Sequence, residues 1–463
     1  MTQSYKIGRL VQLGLAKETT RGTTPASASY WLAWDDLSLD EQRKLIPDES
    51  AYGIIENATG YQLGKRWMDG TVKAPVTDMS FGLVLYSILG GYAHAAHNGE
   101  TTAAYDHTFT VAESAQHQSL SVYIHDPNVQ DYSHANGIIH KLEIEYALQK
   151  FLIYTASVLG LKGVAQSAYS PSQSAENRFA APYGSLNIAP TTSGIQNIVV
   201  GTGTAATTIH VTAIIGFTTD QIKVGMTVVG TNIPAATTVA AIVSSTAFDL
   251  SQASTGNASD LTIGSLATTG TASSTATVTG LGINTNLIQV GMSVVGKYVP
   301  AGATVATIIS SSSFTLSAAT TGAMSSITFG PIVLPVKAMK ISIDGGGEAF
   351  DASGSADPYD FFNKEFKVTG TIEAIFRNEA DFKSAFLNVN ASALLFKFVN
   401  TAVALGGTNP QLLITLDQVN FSKYPIKRTV KDMIYATATF EAAYSLTNSE
   451  MINIILTNSL STF

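Results

Sequence analysis

Histidine is the residue type whose clustering most strongly suggests chemistry in this chain. Seven of the eight histidines lie between positions 94 and 140. Two or three converging imidazoles can hold a divalent metal ion, and the spacing His94-x-x-His97 suits one face of a helix. No carboxylate stands at the spacing of a known metal motif, so the pattern indicates loop and hairpin histidines and no metal site. The seven residues are His94, His97, His107, His117, His125, His134 and His140.

A second candidate is the acidic, glycine-rich segment 344–348, which reads Asp-Gly-Gly-Gly-Glu and is followed by Asp351, Asp357 and Asp360. Calcium loops use such acids and glycines, but the spacing does not fit the EF-hand pattern. No Lys-Ser/Thr pair follows the glycines, as it would in a phosphate-binding loop. We therefore interpret this segment as a flexible connector.

Catalytic constellations are not evident elsewhere. No Gly-x-Ser-x-Gly elbow frames a nucleophilic serine. A glycan hydrolase needs a pair of positioned carboxylates, and the acids of this chain are scattered. We predict that the protein is not an enzyme, has no catalytic residue and binds no cofactor.

The bulk composition limits the class of protein. The chain has 463 residues, 45% of them hydrophobic, which is enough for two to four domains with substantial cores. A net charge of −8 argues against a surface that grips nucleic acid by neutralising phosphates. The chain has no cysteine. Its start lacks the apolar segment of a signal peptide and no apolar run is long enough to span a membrane, so we expect synthesis in the cytoplasm and no membrane partner.

The middle of the chain contains a tandem repeat at an offset of 66 residues. Residues 225–230 (GMTVVG) return as 291–296 (GMSVVG), and the block 196–330 is almost uncharged and rich in Thr, Ser and Gly. Short β-branched runs between turn residues predict four or five strands in each repeat. The block therefore reads as two small all-β modules. Its charged residues are Asp220, Lys223, Asp249, Asp260 and Lys297.

Both flanks of this block alternate apolar and polar residues as half-buried strands do. Each also has one predicted helix: the first begins at Thr77-Asp78, and the second has Asn378 as its N-cap. The strand before each helix matches, because residues 70–74 (GTVKA) align with 370–374 (GTIEA) without a gap to the caps. Residues 153–156 also resemble 434–437. We predict an internal duplication. The predicted strands are 7–15, 30–34, 61–76, 138–148, 151–159, 336–344, 366–374, 394–398, 412–419 and 433–442.

The predicted helices carry apolar stripes that should face a core. Phe81, Val84, Leu85, Ile88 and Leu89 form the stripe of the first helix. In the second helix Asp381 suits the positive end of the helix dipole. Its apolar stripe is Phe382, Ala385 and Phe386.

The N-terminal segment 14–23 (GLAKETTRGT), followed by Tyr30-Trp31-Leu32, resembles the start of bacteriophage tail tube proteins of long, non-contractile (siphophage) tails. The order of strand, capped helix and long hairpin in both flanks is also similar to that family. The resemblance covers about 1–190 and 331–463 and implies a mainly β (α+β) fold. It implies a duplicated tube domain, each a β-sandwich or half-barrel with a flanking helix, plus the two inserted β-repeats.

The resemblance also implies domain limits and an assembly. The expected domains are 1–195 (first tube domain), 196–266 and 267–330 (the inserted repeats) and 331–463 (second tube domain). Tube proteins form six-fold rings, so a duplicated chain is expected to form a trimer with pseudo-six-fold symmetry, stacked into a tube. A single tube domain with a long elaboration would instead give six chains per ring. The family further implies a tape measure protein and a tail terminator as partners and the virion as location.

Three surfaces follow as expectations. The basic start (Lys6, Arg9, Lys17 and Arg21) and the irregular stretch 36–60 are candidates for an arm that reaches the next ring. Glu143 and Glu145 lie on one face of an alternating strand and are candidates for a channel lining that repels DNA; a solvated outer face is the alternative. The repeats are expected to project outward, as spacers, as stabilisers of the tube exterior, or in contact with host-surface glycans.

We therefore expect a structural virion protein that forms the rings of a phage tail tube, a β-barrel conduit for DNA ejection decorated by outward repeats. The alternative is a secreted or surface filament or adhesin protein with Thr/Ser-rich β-repeats. The N-terminus argues against that alternative because an adhesin must be exported.

Overall fold

The chain is mainly β, as its alternating patterns predict. The structure is a computed structural model that describes residues 7–53, 55–97, 103–190, 199–205, 207–215, 222, 226–234, 237–244, 247–264, 266–300, 302–375, 386, 392–406, 408–428, 433–446 and 448–463. The part before the inserted block contains helix α1 (Phe81–Leu89). Its strands are β1 (Gln12–Lys17), β2 (Tyr30–Leu32), β3 (Asp36–Asp48), β4 (Gly60–Pro75), β5 (Gly90–Ala96), β6 (Tyr105–Val111), β7 (Leu120–His125), β8 (Asp131–Ala147), β9 (Ile153–Gly160), β10 (Val164–Gln166) and β11 (Gly184–Ala189).

The inserted block and the last part of the chain are also built from strands. The block contains β12 (Val199–Thr204), β13 (His210–Ile215), β14 (Thr227–Thr231), β15 (Val239–Ser244), β16 (Ala247–Leu250), β17 (Ser259–Gly264), β18 (Ala267–Ser273), β19 (Thr277–Val278), β20 (Val294–Val295), β21 (Val305–Ser310), β22 (Ser313–Leu316) and β23 (Ala323–Phe329). The last part contains β24 (Ile332–Leu334), β25 (Val336–Asp344), β26 (Glu348–Phe350), β27 (Asp360–Phe362), β28 (Lys367–Ile375), β29 (Ser392–Val399), β30 (Gln411–Lys423), β31 (Ile426–Lys427), β32 (Tyr435–Ala442) and β33 (Ile452–Asn458).

One pairing scheme occurs twice outside the inserted block. In the first occurrence β2 pairs with β1, β1 with β7 and β7 with β8, and β8 continues through β9 and β4 to β3. In the second, β24 pairs with β11, β11 with β29 and β29 with β30, and β30 continues through β32 and β28 to β25. Each long strand (β8, β30) also carries a further partner, β10 or β33.

The two schemes agree in register as well as in order. A bulge follows Leu120 in the β7–β8 ladder and Ile139 in the β8–β9 ladder. Bulges follow Ser392 and Phe421 at the corresponding points of the β29–β30 and β30–β32 ladders. Bulges bend a strand and increase its twist, so both long strands turn at the same place and pass from one layer of the sandwich to the other.

The resemblance between 153–156 and 434–437 is displaced by one residue in the structure. Tyr154 lies opposite Ala74, and Ala436, rather than Tyr435, lies opposite the corresponding Ala374. The one-residue shift is decisive because it moves a side chain to the other face of the sheet.

The halves join edge to edge in one layer. β8 ends the first four-stranded unit (β3-β4-β9-β8), and it pairs with β25, which begins the second unit (β25-β28-β32-β30). The result is a continuous eight-stranded layer, which we call the long layer. The shorter strands β1, β2 and β7, and their counterparts β11, β24 and β29, form a second layer.

The core lies between these two layers. Leu13 and Val122 of the second layer face Val72 and Ala156 of the long layer around one enclosed apolar space. Helix α1 is buried along almost its whole length and packs against this core. All five residues of its predicted stripe are buried.

Helix α1 begins later than the sequence predicts. Its N-cap is Ser80, and Thr77-Asp78 precede it. The reason is that the Asp78 carboxylate accepts hydrogen bonds from the backbone N–H and side-chain amide of Asn177, at 2.8 and 2.6 Å. Asp78 therefore anchors a distant loop instead of the helix. Of the second predicted helix, only Phe386 is described, and it is helical; Asn378, Asp381, Phe382 and Ala385 lie outside the described residues.

The stretch 36–60, expected to be irregular, is largely a hairpin arm. β3 pairs with β4 from Asp36 to Asp48. Much of this arm is exposed on both faces, including Ile46 and Tyr61. Residues 36–40 alternate because Leu37 and Leu39 pack against the core. Beyond Asp40 the strand has no buried face, so the sequence shows no period-two pattern there.

The two inserted modules repeat one another in register. The β15–β16 hairpin pairs Ile242 with Phe248, and the β21–β22 hairpin pairs Ile308 with Phe314, with the same two irregularities in each. Phe248 and Phe314 are both fully buried. The block is attached between β11 and β24, the counterparts of β1 and β2, where the first half has a short connection.

Candidate assembly site

The face of the long layer that points away from the core is polar and carries both acids and lysines. Its strands present alternate residues to the core and to this face, where threonines and serines separate the charges. Acids outnumber lysines on it. The charged residues of this face are Asp36, Asp40, Asp69, Lys73, Lys141, Glu143, Glu145, Lys337, Lys340, Asp344, Lys367, Glu373, Lys423, Lys427 and Glu441.

Ion pairs cross the junction between the two halves. The Lys340 ammonium on β25 lies 2.7 Å from Glu143 and 3.3 Å from Glu145 on β8. The hydrogen bond to Glu143 is the main reason that the pKa of Lys340 is raised. Burial raises the pKa of Glu143, but hydrogen bonds from Lys340 and Lys141 outweigh it and leave the pKa below its ordinary value. Lys141 and Lys340 are thus paired with acids, as are Lys337 and Lys367 on the same face.

The residues of the N-terminal motif are engaged within the body of the chain. The Lys17 ammonium donates to the backbone carbonyl of Phe463 at 2.5 Å. Arg21 donates to Asp360 at 2.7 Å and to the carbonyl of His117 at 2.7 Å. The expectation that Lys17 and Arg21 form a reaching arm is therefore wrong, because partly buried acceptors of the same chain bind both. Arg9 is exposed in a short 3-10 turn, and Lys6 lies outside the described residues.

Glu18 is a buried carboxylate that sequence reasoning did not single out. It accepts four hydrogen bonds of 2.7 Å, from the N–H groups of Gly22 and Asn136 and the hydroxyls of Ser119 and Ser121. A buried charge is tolerated when its acceptor sites are filled in this way. Glu18 closes the β1–β2 connection onto β7 and β8. No local pattern could reveal it, since its partners are mostly far along the chain.

Asp360, in the second half, links the two halves through Arg21 of the N-terminal segment 14–23. It accepts hydrogen bonds from Arg21, from Asn136 at 3.0 Å and from Gln116 at 2.6 Å. Burial raises the pKa of Asp360, but the hydrogen bonds from Asn136 and Arg21 outweigh it, so the net pKa is lowered. The acidic segment 344–360 is therefore only partly a flexible connector, because its last residue, Asp360, is fixed by hydrogen bonds to the first half.

We expect Asp360→Asn to lower the free energy of unfolding by about 2 kcal/mol at pH 7, a typical value for a charged hydrogen bond. A depressed folded-state pKa gives stability above the unfolded pKa of about 3.9 and loses it as the pH falls through the folded value. The difference between wild type and variant should therefore shrink as the pH falls below about 4. Urea unfolding at pH 7 and pH 3 measures it.

Asp351→Asn is the matched control for Asp360→Asn, since the Asp351 side chain is 57% exposed in its pair with Lys65. Its effect should stay within about 0.5 kcal/mol. A pH-independent difference for Asp360→Asn would contradict the role of its ionised form.

Five of the clustered histidines form side-chain hydrogen bonds within the described residues, and each of the five has its own partners. His97 and His125 each pair with one aspartate, Asp106 and Asp131, at 2.9 Å. His94 lies on a strand, so the helical spacing with His97 does not exist. Within the described residues no group of three His, Cys, Asp or Glu could hold a metal ion. In the same part of the chain, no helix is long and apolar enough to cross a membrane.

The arrangement of the long layer supports assembly. Glu143 and Glu145 lie on the polar face, as expected, next to strands of the second half. At the two ends of the long layer, the described pairings leave one side of β3 and one side of β31 open. Such edges are templates for pairing with another chain. These features define a β-structural protein with a broad polar sheet face and open strand edges.

The comparison with known families agrees with this class. The model of the phage tail tube protein family matches residues 8–442, nearly the whole chain. The chain therefore belongs to the phage tail tube protein family and is a structural component of a phage virion. No curated protein matches the chain.

Proposed function

We propose that three copies of this chain form one ring of the tail tube of a long, non-contractile phage tail. The observation that carries the proposal is the pairing scheme that occurs twice in one chain, with its units joined edge to edge. Three chains supply six such units, and ring closure removes the open edges. A heterologous contact that closes by rotation is a common way to build a ring.

In this ring the polar face of the long layer lines the channel. Its acids keep the phosphate backbone of the genome away from the wall by like-charge repulsion. Four of its lysines are paired with acids, as Lys340 is with Glu143 and Glu145, which weakens their attraction for DNA as it passes during ejection. A tape measure protein occupies the channel before DNA, and a terminator caps the tube.

The two inserted modules decorate the outside of the tube. Their attachment strands, β11 and β24, belong to the layer that does not carry the polar face. The β11 strand precedes the insertion and pairs within the second scheme, so we propose that the second tube domain begins at β11 and is interrupted by residues 190–331. This replaces the expected limit at 195. The hydroxyl-rich modules act as spacers or contact host-surface glycans.

The stacking of rings is assigned to the β3–β4 hairpin arm. It exposes apolar side chains at its free end, among them Ile46, Tyr61 and Leu63. Exposed apolar clusters of this kind mark contact surfaces. The arm is held to the body at its base, where Arg66 pairs with Asp357 at 2.6 Å.

Electron microscopy of the purified chain tests the proposal. End-on views should show hollow rings with three lobes, and a variant with residues 189–331 replaced by Asn-Gly should keep the ring and lose the lobes. A short turn can replace the block because β11 and β24 are antiparallel neighbours, with Ile188 opposite Ile332.

Other images would contradict parts of the proposal. Six lobes per ring would contradict the trimer. Particles that never form rings, even when concentrated, would contradict the tube and favour the adhesin alternative. Lobes that point into the channel would contradict the decoration.

A further inference from the structure

The β8–β25 junction has counterparts at the two ends of the long layer. By the repeated pairing, β3 corresponds to β25, and the end of β30 with β31 corresponds to β8. Ile144 and Ile341 lie opposite each other at the β8–β25 junction and are fully buried. Their counterparts, Ile426 and Leu39, are only half-buried. Leu39 and Ile426 are therefore partly exposed at the open edges, whereas the corresponding side chains at the internal junction are covered.

We propose that β3 of one chain pairs with the end of β30 and β31 of a second copy, in the register of the β8–β25 junction. This register places Leu39 opposite Ile426, Ser38 opposite Lys427 and Gln42 opposite Lys423. The inference rests on the proposed ring function and specifies its contact between chains.

The charges of the two open edges are complementary. β3 carries Asp36 and Asp40 on the polar face, and the β30–β31 end carries Lys423 and Lys427. All four side chains are exposed, and within the described residues none has an ion-pair partner. Opposite charges on facing strands stabilise their pairing, and like charges oppose it.

The internal β8–β25 junction shows how oppositely charged side chains on facing strands form ion pairs. There Lys340 reaches both the directly opposite Glu145 and the diagonal Glu143. In the proposed contact Lys427 stands opposite Ser38 and diagonal to Asp36 and Asp40. The polarity is reversed: the acids lie on the β8 side internally and on the β3 side between chains.

The single chain contains an unfavourable charge pair that such a partner would stabilise. Asp40 lies directly opposite Asp69 on the same face, and like charges in this position destabilise a strand pair. Lys423 and Lys427 of the second copy would flank Asp40 on both diagonals. The contact thereby relieves a repulsion that the isolated chain retains.

Charge polarity also selects the geometry of assembly. Two β3 edges repel each other through their acids, and two β31 edges repel through their lysines. The favourable contact is head-to-tail, which gives a closing ring rather than a two-fold dimer.

Disulfide trapping in this cysteine-free chain tests the register. Directly opposite residues in antiparallel strands have Cα atoms about 4.5–5.5 Å apart, within the range of a disulfide. The full-length chain carrying Ser38→Cys and Lys427→Cys should form covalent trimers on oxidation. Gln42→Cys with Lys427→Cys, displaced by about 13 Å along the strand, should form at least tenfold fewer. Glu143→Cys with Ser342→Cys should close within one chain regardless of assembly.

Electron microscopy of the same samples separates the two proposals. Rings without Ser38–Lys427 cross-links, or with stronger cross-links in the displaced pair, overturn the register and leave the tube standing. Dimers from Ser38→Cys alone overturn the head-to-tail contact. No rings and no cross-links, with the internal control closed, overturn both.

A charge reversal tests the polarity separately. Asp40→Lys should reduce the ring yield at least fivefold at low ionic strength, and Asp40→Lys combined with Lys427→Glu should restore it. An unchanged yield for the single variant, or no recovery in the double variant, contradicts the charge argument.

Discussion

Gly70→Val should separate β3 from β4 and abolish ring assembly. A Cβ atom at Gly70 would overlap the backbone carbonyl of Ser38 on the facing strand. Backbone cannot move aside as a flexible side chain can, so the hairpin must open where β3 forms the edge of the long layer. We expect the free energy of unfolding to fall by about 3 kcal/mol, the upper part of the range for overpacking, and rings to disappear.

Gly60→Val is the matched control, because a Cβ at Gly60 of the same strand meets no atom within 4 Å. Thermal or urea unfolding and end-on microscopy of both variants measure the effect. The second half offers an internal repeat of the test: a Cβ at Gly370 would meet the ring of Phe440 and the carbonyl of Lys340. Wild-type stability and rings in Gly70→Val would sink the assignment of β3 as an assembly edge.

Glu18→Ala should be the most destabilising single truncation in the first half, by about 4 kcal/mol. The change leaves the N–H groups of Gly22 and Asn136 and the hydroxyls of Ser119 and Ser121 buried without their acceptor. Removing one side of a buried charged network typically costs 3–5 kcal/mol. Urea unfolding measures the loss.

Glu18→Gln should be almost as damaging as the truncation. Each carboxylate oxygen accepts one backbone N–H, from Asn136 or from Gly22. Either orientation of a glutamine amide therefore points its NH₂ group at a backbone donor, and donors cannot bond to each other. Glu113→Ala, an exposed acid on the neighbouring loop, should change stability by less than about 0.5 kcal/mol. Equal effects of Glu18→Ala and Glu113→Ala on stability would contradict the role of Glu18 as a buried acceptor of four hydrogen bonds.

Much of the fold was predictable from local pattern. The alternation of β8, β9, β25 and β28 and the apolar stripe of α1 identified these elements, because one buried face imposes a period on the sequence. Strands without a buried face were not predicted from the sequence. The β3 arm is exposed, so only its pairing with β4 makes it a strand. β11 looked like the end of the first half, and its long-range partners place it with the second pairing scheme.

The candidate site was less accessible to sequence reasoning. Glu143 and Glu145 could be placed on one polar face from their spacing. Lys17 and Arg21 were misread as an arm because a basic side chain shows no sign of its acceptor: Phe463 and Asp360 lie hundreds of positions away. Glu18 was missed for the same reason.

Composition and periodicity by themselves determined that this chain is mainly β, that it lacks a cysteine framework, and that residues 225–230 and 291–296 belong to matching repeats. These properties depend on residues that are close together in the sequence, so short-range sequence patterns reveal them. Only the tertiary structure decided which strands meet, because register and edge pairing depend on backbone hydrogen bonds that carry no residue identity. The same pairing scheme can therefore recur with few identical residues, as in the β8–β9 and β30–β32 ladders, and with opposite charges at the edges that it leaves open.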